Sequence, residues 1–149
     1  MTSVKARPGR GVPRLDEPHV AELMGALMQE IRATFASEDW GGLRQSHFRL
    51  LHNVPPDGIR ITDLGERLGM TKQASGQFVS ALIDTGHLAA RPDPHDGRVR
   101  VVVRTALGDR TVKAANARIL RIERGWAKAV GPERYAEFRR VLQELGENL

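Results

Sequence analysis

Residues 59–88, IRITDLGERLGMTKQASGQFVSALIDTGHL, leave the chain few folds to choose from. Leu64 and Leu68 stand four apart, on one face of a helix. Gly69 suits the residue that closes that helix. Thr71 suits the N-cap of the next one, its hydroxyl within reach of the Ala74 N–H. Phe78, Val79 and Leu82 give the second helix an apolar stripe, and Gly86 ends it. Two short helices joined by a glycine-containing turn form a helix-turn-helix.

The segment that follows, 88–104, has the pattern of a hairpin. Its strands are expected over 88–91 and 98–104, with Pro92, Pro94 and Asp96-Gly97 at the tip. Val99, Val101 and Val103 alternate with Arg98, Arg100, Val102 and Arg104. This predicts an apolar face of three valines and a largely basic opposite face. A helix-turn-helix followed at once by a hairpin is a winged helix. Its second helix is the one expected to enter a DNA major groove.

Helical patterns flank this lobe. Val20, Leu23, Met24, Leu27, Met28, Ile31 and Phe35 predict a helix over about 17–37, with Pro18 in its first turn. Trp40-Gly41-Gly42 breaks it, and a shorter helix is expected over about 43–53. Pro55-Pro56-Asp57-Gly58 is a turn. Beyond the hairpin, Val112, Ala115, Ile119, Ile122, Trp126 and Val130 keep helical spacing. Gly131-Pro132 separates them from a last helix carrying Tyr135, Phe138, Leu142 and Leu145. The terminal stripes need a partner. A homodimer built from them is expected, and an intramolecular three-helix cap is the alternative.

The expected fold is mostly α with a small β-hairpin wing. Residues 1–15 form a flexible basic arm, 16–42 an N-terminal dimerisation helix, 43–104 the DNA-binding lobe and 105–149 C-terminal dimerisation helices. Lys plus Arg number 23 against 18 Asp plus Glu, a formal charge of +5 in 149 residues, which fits a polyanionic partner. The chain has no cysteine, so disulfides, thiolate nucleophiles and cysteine-ligated zinc are excluded. No apolar run is long enough to span a membrane, and the basic N-terminus lacks the apolar core of a secretory signal. The expected location is cytoplasmic. No phosphate loop, zincin helix or nucleophile elbow is present, and Ser46 beside His47 is an adjacency rather than a triad. His19, His47, His52, His87 and His95 lack metal-ligand spacing. Neither an enzyme, a metal nor a cofactor is expected.

The ordered set of these parts resembles the MarR family of transcription regulators, over about residues 43–145. Asp63-Leu64-Gly65-Glu66-Arg67-Leu68-Gly69-Met70-Thr71-Lys72-Gln73 is similar to the family's helix-turn-helix core. Leu82, Gly86 and Arg91 follow at the family's spacing. Asp93-Pro94-His95-Asp96-Gly97-Arg98 is similar to its wing tip, and Thr105 and Gly108 to the opening of its long dimer helix. Arg44 and Arg60 stand where capping Thr or Ser residues are common. Gly65 replaces a usual Ala, Gly76 and Gln77 a frequent Ser and Arg, and Arg104 a Leu.

The resemblance implies a homodimeric, ligand-responsive repressor on a pseudopalindromic operator in double-stranded DNA. The alternative is a protein of this fold without specific DNA recognition, acting through a protein partner or a small molecule. On the recognition helix, Thr71, Lys72, Gln73, Ser75 and Gln77 are the expected DNA contacts, Lys72 to phosphate and the glutamines to adenine edges. On the wing, Arg98 resembles the family's minor-groove arginine and Asp96 the carboxylate that orients it, with His95 and Arg100 in support. A small aromatic or phenolic effector would lie between the dimer helices and the lobe. Trp40, His47, Phe48, Arg49 and Trp126 are its candidate walls.

Overall fold

The structure is a computed structural model that describes residues 16–149. The basic arm read over 1–15 lies outside the described residues. The chain divides between Asp39 and Trp40 into two units. In the first, α1 spans Val20–Ala36. His19 caps it, its Nδ1 accepting the Glu22 N–H at 3.3 Å. Pro18 therefore precedes the cap instead of opening the first turn. Val20, Leu23, Met24 and Met28 are exposed along α1.

The second unit runs α2 (Gln45–His52), β1 (Ile59–Arg60), α3 (Ile61–Arg67), α4 (Lys72–Asp84), β2 (Leu88–Pro92), β3 (Arg100–Arg104), α5 (Ala106–Val130) and α6 (Pro132–Glu147). Its core joins Leu50 and Leu51 of α2, and Val54 just after it, to Leu64, Val79, Leu82, Leu88 and Val102. Each such side chain contributes about 1.5–3 kcal/mol through burial.

The helix-turn-helix forms as its residues direct. Thr71 caps α4, its Oγ1 accepting the Ala74 N–H at 3.1 Å. Gly69 takes φ +63°. The Gly69 N–H meets the Glu66 carbonyl at 3.0 Å and the Met70 N–H meets the Gly65 carbonyl at 2.9 Å, the two bonds of a Schellman closure. Gly65 also lets α3 and α4 touch. A Cβ there would sit 2.8 Å from Ser75 Oγ and 3.3 Å from Ser75 Cβ. Ser75 is fully buried, its hydroxyl donating to the Lys72 carbonyl at 3.1 Å.

The wing has three strands rather than two, antiparallel in the order β1-β3-β2. β1 was not legible, because two residues cannot display a period of two. Its presence changes the face assignment. Ile59, Val102 and Ala90 are register partners facing the core. Arg60, Val101 and Arg91 are partners on the outer face. Val102 is thus the core residue, the reverse of the alternation read from the sequence. β3 is the central strand, and it is covered on both sides: Val101 is also buried although it faces outward.

Two further joints complete this unit. Arg104 donates from Nε to Asp109 Oδ1 at 2.7 Å and from Nη1 to the Leu51 carbonyl at 3.2 Å, tying β3 to α5 and α2. Thr105 caps α5 and donates from Oγ1 to the Gly86 carbonyl at 2.6 Å. α6 packs on α5, with Arg139 approaching Glu123 at 3.9 Å. Leu120, Val130, Phe138, Val141 and Leu145 stay exposed on these helices.

Arg44 at the N-cap of α2 has no acceptor in its side chain. His47 supplies one instead: its Nδ1 accepts the Arg44 N–H at 2.8 Å. The ring rests edge-on against Phe78, with centroids 5.3 Å apart. Burial first, and the Arg44 charge second, hold the His47 pKa below 6.5, and burial acts the same way on His87. The unfolded chain therefore binds these protons more readily. Their contribution to stability is present above pH 6.5 and is lost as pH falls through 6.5 toward the depressed folded values.

Two predictions follow from these contacts. Gly65→Ala, which helix propensity alone would favour by about 1 kcal/mol, instead costs about 1–2 kcal/mol in urea unfolding. Adding Ser75→Ala recovers most of that loss, and additive losses would contradict the close-contact account. Second, the wild-type urea midpoint falls between about pH 7.5 and about pH 5.5. His47→Gln keeps an acceptor at this capping position but cannot titrate, so the variant shows a smaller fall. An unchanged pH dependence would contradict the role of His47.

Candidate nucleic-acid interface

The first turn of α4 presents Thr71, Lys72 and Gln73 to solvent, and Gln77 follows one turn later, also exposed. The unpaired N–H groups of a helix start and its positive dipole end favour phosphate at such a place. Ser75 is different. It faces Gly65 and is fully buried, so the DNA contact expected of it is corrected to a packing role between α3 and α4. Spacing alone could not separate it from Gln73 and Gln77. The missing signal was Gly65, whose lack of a side chain marks where Ser75 enters.

The wing tip is organised by two carboxylates. The Asp93 N–H donates to the Val99 carbonyl at 2.8 Å, and Asp93 Oδ1 accepts the His95 N–H at 2.8 Å. Asp93 Oδ2 accepts from both Nε and Nη2 of Arg60, each at 3.1 Å. Asp93 is only 8% exposed. The His95 N–H, and after it the Arg60 guanidinium, hold its carboxyl below the usual carboxylate range against the opposing effect of burial.

Asp96 acts on the backbone. Its Oδ1 accepts the Arg98 N–H at 3.0 Å, and the Val99 N–H returns to the Asp96 carbonyl at 2.9 Å. The expectation that Asp96 orients the Arg98 guanidinium is thus corrected: it fixes the Arg98 main chain. The Arg98 side chain is exposed and makes no hydrogen bond or ion pair with a described residue. His95 and Arg100 are exposed beside it.

Of the five candidate effector walls, Trp40 and Phe48 meet. Phe48 is buried and packs edge-on against Trp40, with centroids 5.0 Å apart. His47 closes the α2 cap. Trp126 is half-buried on α5. Arg49 lines a groove of about 350 Å³, shared with Gln45, Ser46, Leu68 and Met70. Arg49 Nη2 donates to the Leu68 carbonyl at 3.3 Å. Aromatic residues near a junction carry the same sequence signal whether they line a pocket or fill a core. Among the described residues, no cluster of three or more His, Asp or Glu is placed to hold a metal, and no helix is long and apolar enough to cross a membrane.

Three comparisons bear on this geometry. The MarR family model matches residues 42–99, which contain α2 to β2 and the wing tip. The HTH-type transcriptional regulator PetP of Rhodobacter capsulatus is 30% identical over 103 residues, 68% of this chain. That alignment spans 61% of PetP, less than two thirds of its length. Among solved structures, the reduced form of MarR from E. coli superposes with a TM-score of 0.73 at 16% identity, covering 87% of this chain and 98% of that one. The PcaV transcriptional regulator from Streptomyces coelicolor, in complex with its natural ligand, gives 0.65 at 22% identity, covering 87% and 92%. At these identities the structural likenesses establish the fold. Taken with the family match on the lobe that carries α4 and the wing, they lead to one conclusion: the lobe of residues 42–99 belongs to the MarR family of winged helix-turn-helix transcriptional regulators.

Proposed function

We propose that this chain is a homodimeric repressor that reads a pseudopalindromic operator in duplex DNA. The observation that carries the reading is the pairing of two exposed elements on one unit. One is the polar start of α4, with Lys72, Gln73 and Gln77; the other is the exposed Arg98 guanidinium at the wing tip. Lys72 contacts phosphate, a positioning interaction without sequence information. Gln73 and Gln77 offer the paired donor and acceptor that an adenine edge requires. Arg98 enters the adjacent minor groove, where a planar guanidinium suits a narrow electronegative channel.

The dimer reading is supported by the apolar side chains left exposed on α1, α5 and α6, among them Leu23, Met24, Phe138, Val141 and Leu145. Two-fold symmetry would set the two recognition helices about 34 Å apart, in successive major grooves. An effector is supported by the PcaV complex with its natural ligand. For this chain we propose a small aromatic or phenolic anion, with Arg49 the residue best exposed to hold a negative charge. Such a ligand releases DNA only if it binds the DNA-incompetent spacing of the lobes more tightly.

Two substitutions separate positioning from readout. Lys72→Ala weakens binding to all DNA sequences about equally and lowers the salt slope by about 1. Gln73→Ala relaxes preference at one base position with little change in slope. Titration of labelled duplexes over a salt series measures both. If neither change alters operator affinity, the docking is wrong. Weak, sequence-indifferent binding by the wild type would favour a protein of this fold that works through another partner.

A further inference from the structure

The wing tip needs more than its own turn to point in one direction. Residues 94–98 are all exposed and cross from β2 to β3 with local bonds alone among the described residues. Among the described residues, one side-chain link joins the base of this segment to the rest of the lobe. It starts at Asp93, the last residue before the tip, and ends on Arg60, which lies 33 residues earlier. Arg60 is the N-cap residue of α3, the first helix of the helix-turn-helix. It is also the last residue of β1 and stands opposite Val101 of β3. Both Nε and Nη2 reach the same carboxylate oxygen, while the other oxygen holds the His95 backbone. One buried carboxylate thereby links the frame of the helix-turn-helix to the start of the tip.

We propose that Arg60 and Asp93 are positioning residues for DNA recognition: their ion pair fixes the wing relative to α4, so that Arg98 reaches the minor groove while Gln73 occupies the major groove. The inference rests on the DNA-binding reading above and adds to it. A capping Thr or Ser at position 60 would satisfy the start of α3 but could not span to Asp93. In this chain the residue has exchanged capping for bracing, since Arg60 makes no side-chain cap bond to α3. The pair is half open to water on the Arg60 side, with 46% exposure against 8% for Asp93. Its contribution to global stability is accordingly small. Its consequence lies in direction: without it the tip retains its turn but loses its fixed bearing on α4.

The test is a hydroxyl-radical footprint and an equilibrium titration on a selected operator, for the wild type, Arg60→Gln, Asp93→Asn and the double variant. Thermal melting checks each for folding. Asn at 93 can still accept the His95 N–H, so the turn is kept while the ion pair is removed. Expected is loss of the minor-groove protection flanking each half-site, and of the A·T preference there, with the major-groove pattern of α4 intact. Affinity falls about tenfold in each single variant, and the double variant falls no further, because both remove one interaction. Arg60→Lys retains most of the flanking protection.

Flanking protection that persists in both folded single variants overturns the proposal. So does a fall in Arg60→Gln without one in Asp93→Asn, which would make Arg60 a direct phosphate contact. If Asp93→Asn fails to fold, the Arg60 variants decide by the same criterion. A wild type that protects no operator removes the DNA-binding reading and this inference with it. A wild type that protects one, with variants that protect it identically, removes the inference alone.

Discussion

The register of β3 between β1 and β2 fixes every other placement in the lobe. With Val102 opposite Ile59 and Ala90, β3 turns Val102 onto Leu64, Leu82 and Leu88 and so ties the sheet to both helices of the helix-turn-helix. The same register turns Val101 outward between Arg60 and Arg91. It brings Arg104 to the Leu51 carbonyl and to Asp109, where the long helix starts. A slip of one residue would exchange the faces and break all three arrangements at once. The burial of Val102 is therefore both a stability term and the reference from which the wing and α5 take their directions.

Much of this lobe is legible because its signals are local. Thr71 as a cap, Gly69 as a helix stop and Gly131-Pro132 as a break each act within one turn of backbone, and each acts as the residue type directs. What was not legible is what depends on contacts far apart in the chain. β1 is two residues long, and its effect is to reverse the reading of Val101 and Val102. Ser75 reads as one more polar residue on an exposed helix until Gly65, ten positions earlier, is seen to receive it. Arg60 reads as a missing cap until Asp93 is found beside it. The departures from the family pattern at Arg44, Gly65, Arg60 and Arg104 all have structural counterparts. His47 replaces the cap at Arg44, Ser75 fills the space at Gly65, and the two arginines bridge separate elements.

The candidate site divides along the same line. Lys72, Gln73, Gln77 and Arg98 are exposed, on α4 and at the wing tip. The effector walls are read from their place on helices expected to meet at the lobe junction; within the lobe Trp40 packs on Phe48, and His47 packs on Phe78 and caps α2. This is the expected asymmetry: exposed polar residues on a helix start are free to act, whereas aromatic residues satisfy the core first. The proposed division of labour follows. Phosphate contacts at α4 position the lobe, the two glutamines read bases, and the braced wing contributes groove shape.

The central claim is that α4 and the wing together read a specific duplex as a dimer. Selection of bound fragments from a random duplex library, at about 150 mM salt, tests it most directly. The account predicts enrichment of a pseudopalindrome with half-sites about one helical turn apart and A·T pairs at the flanks, bound by two chains per duplex. A library that returns no enriched sequence, from a folded protein at that salt, would contradict it.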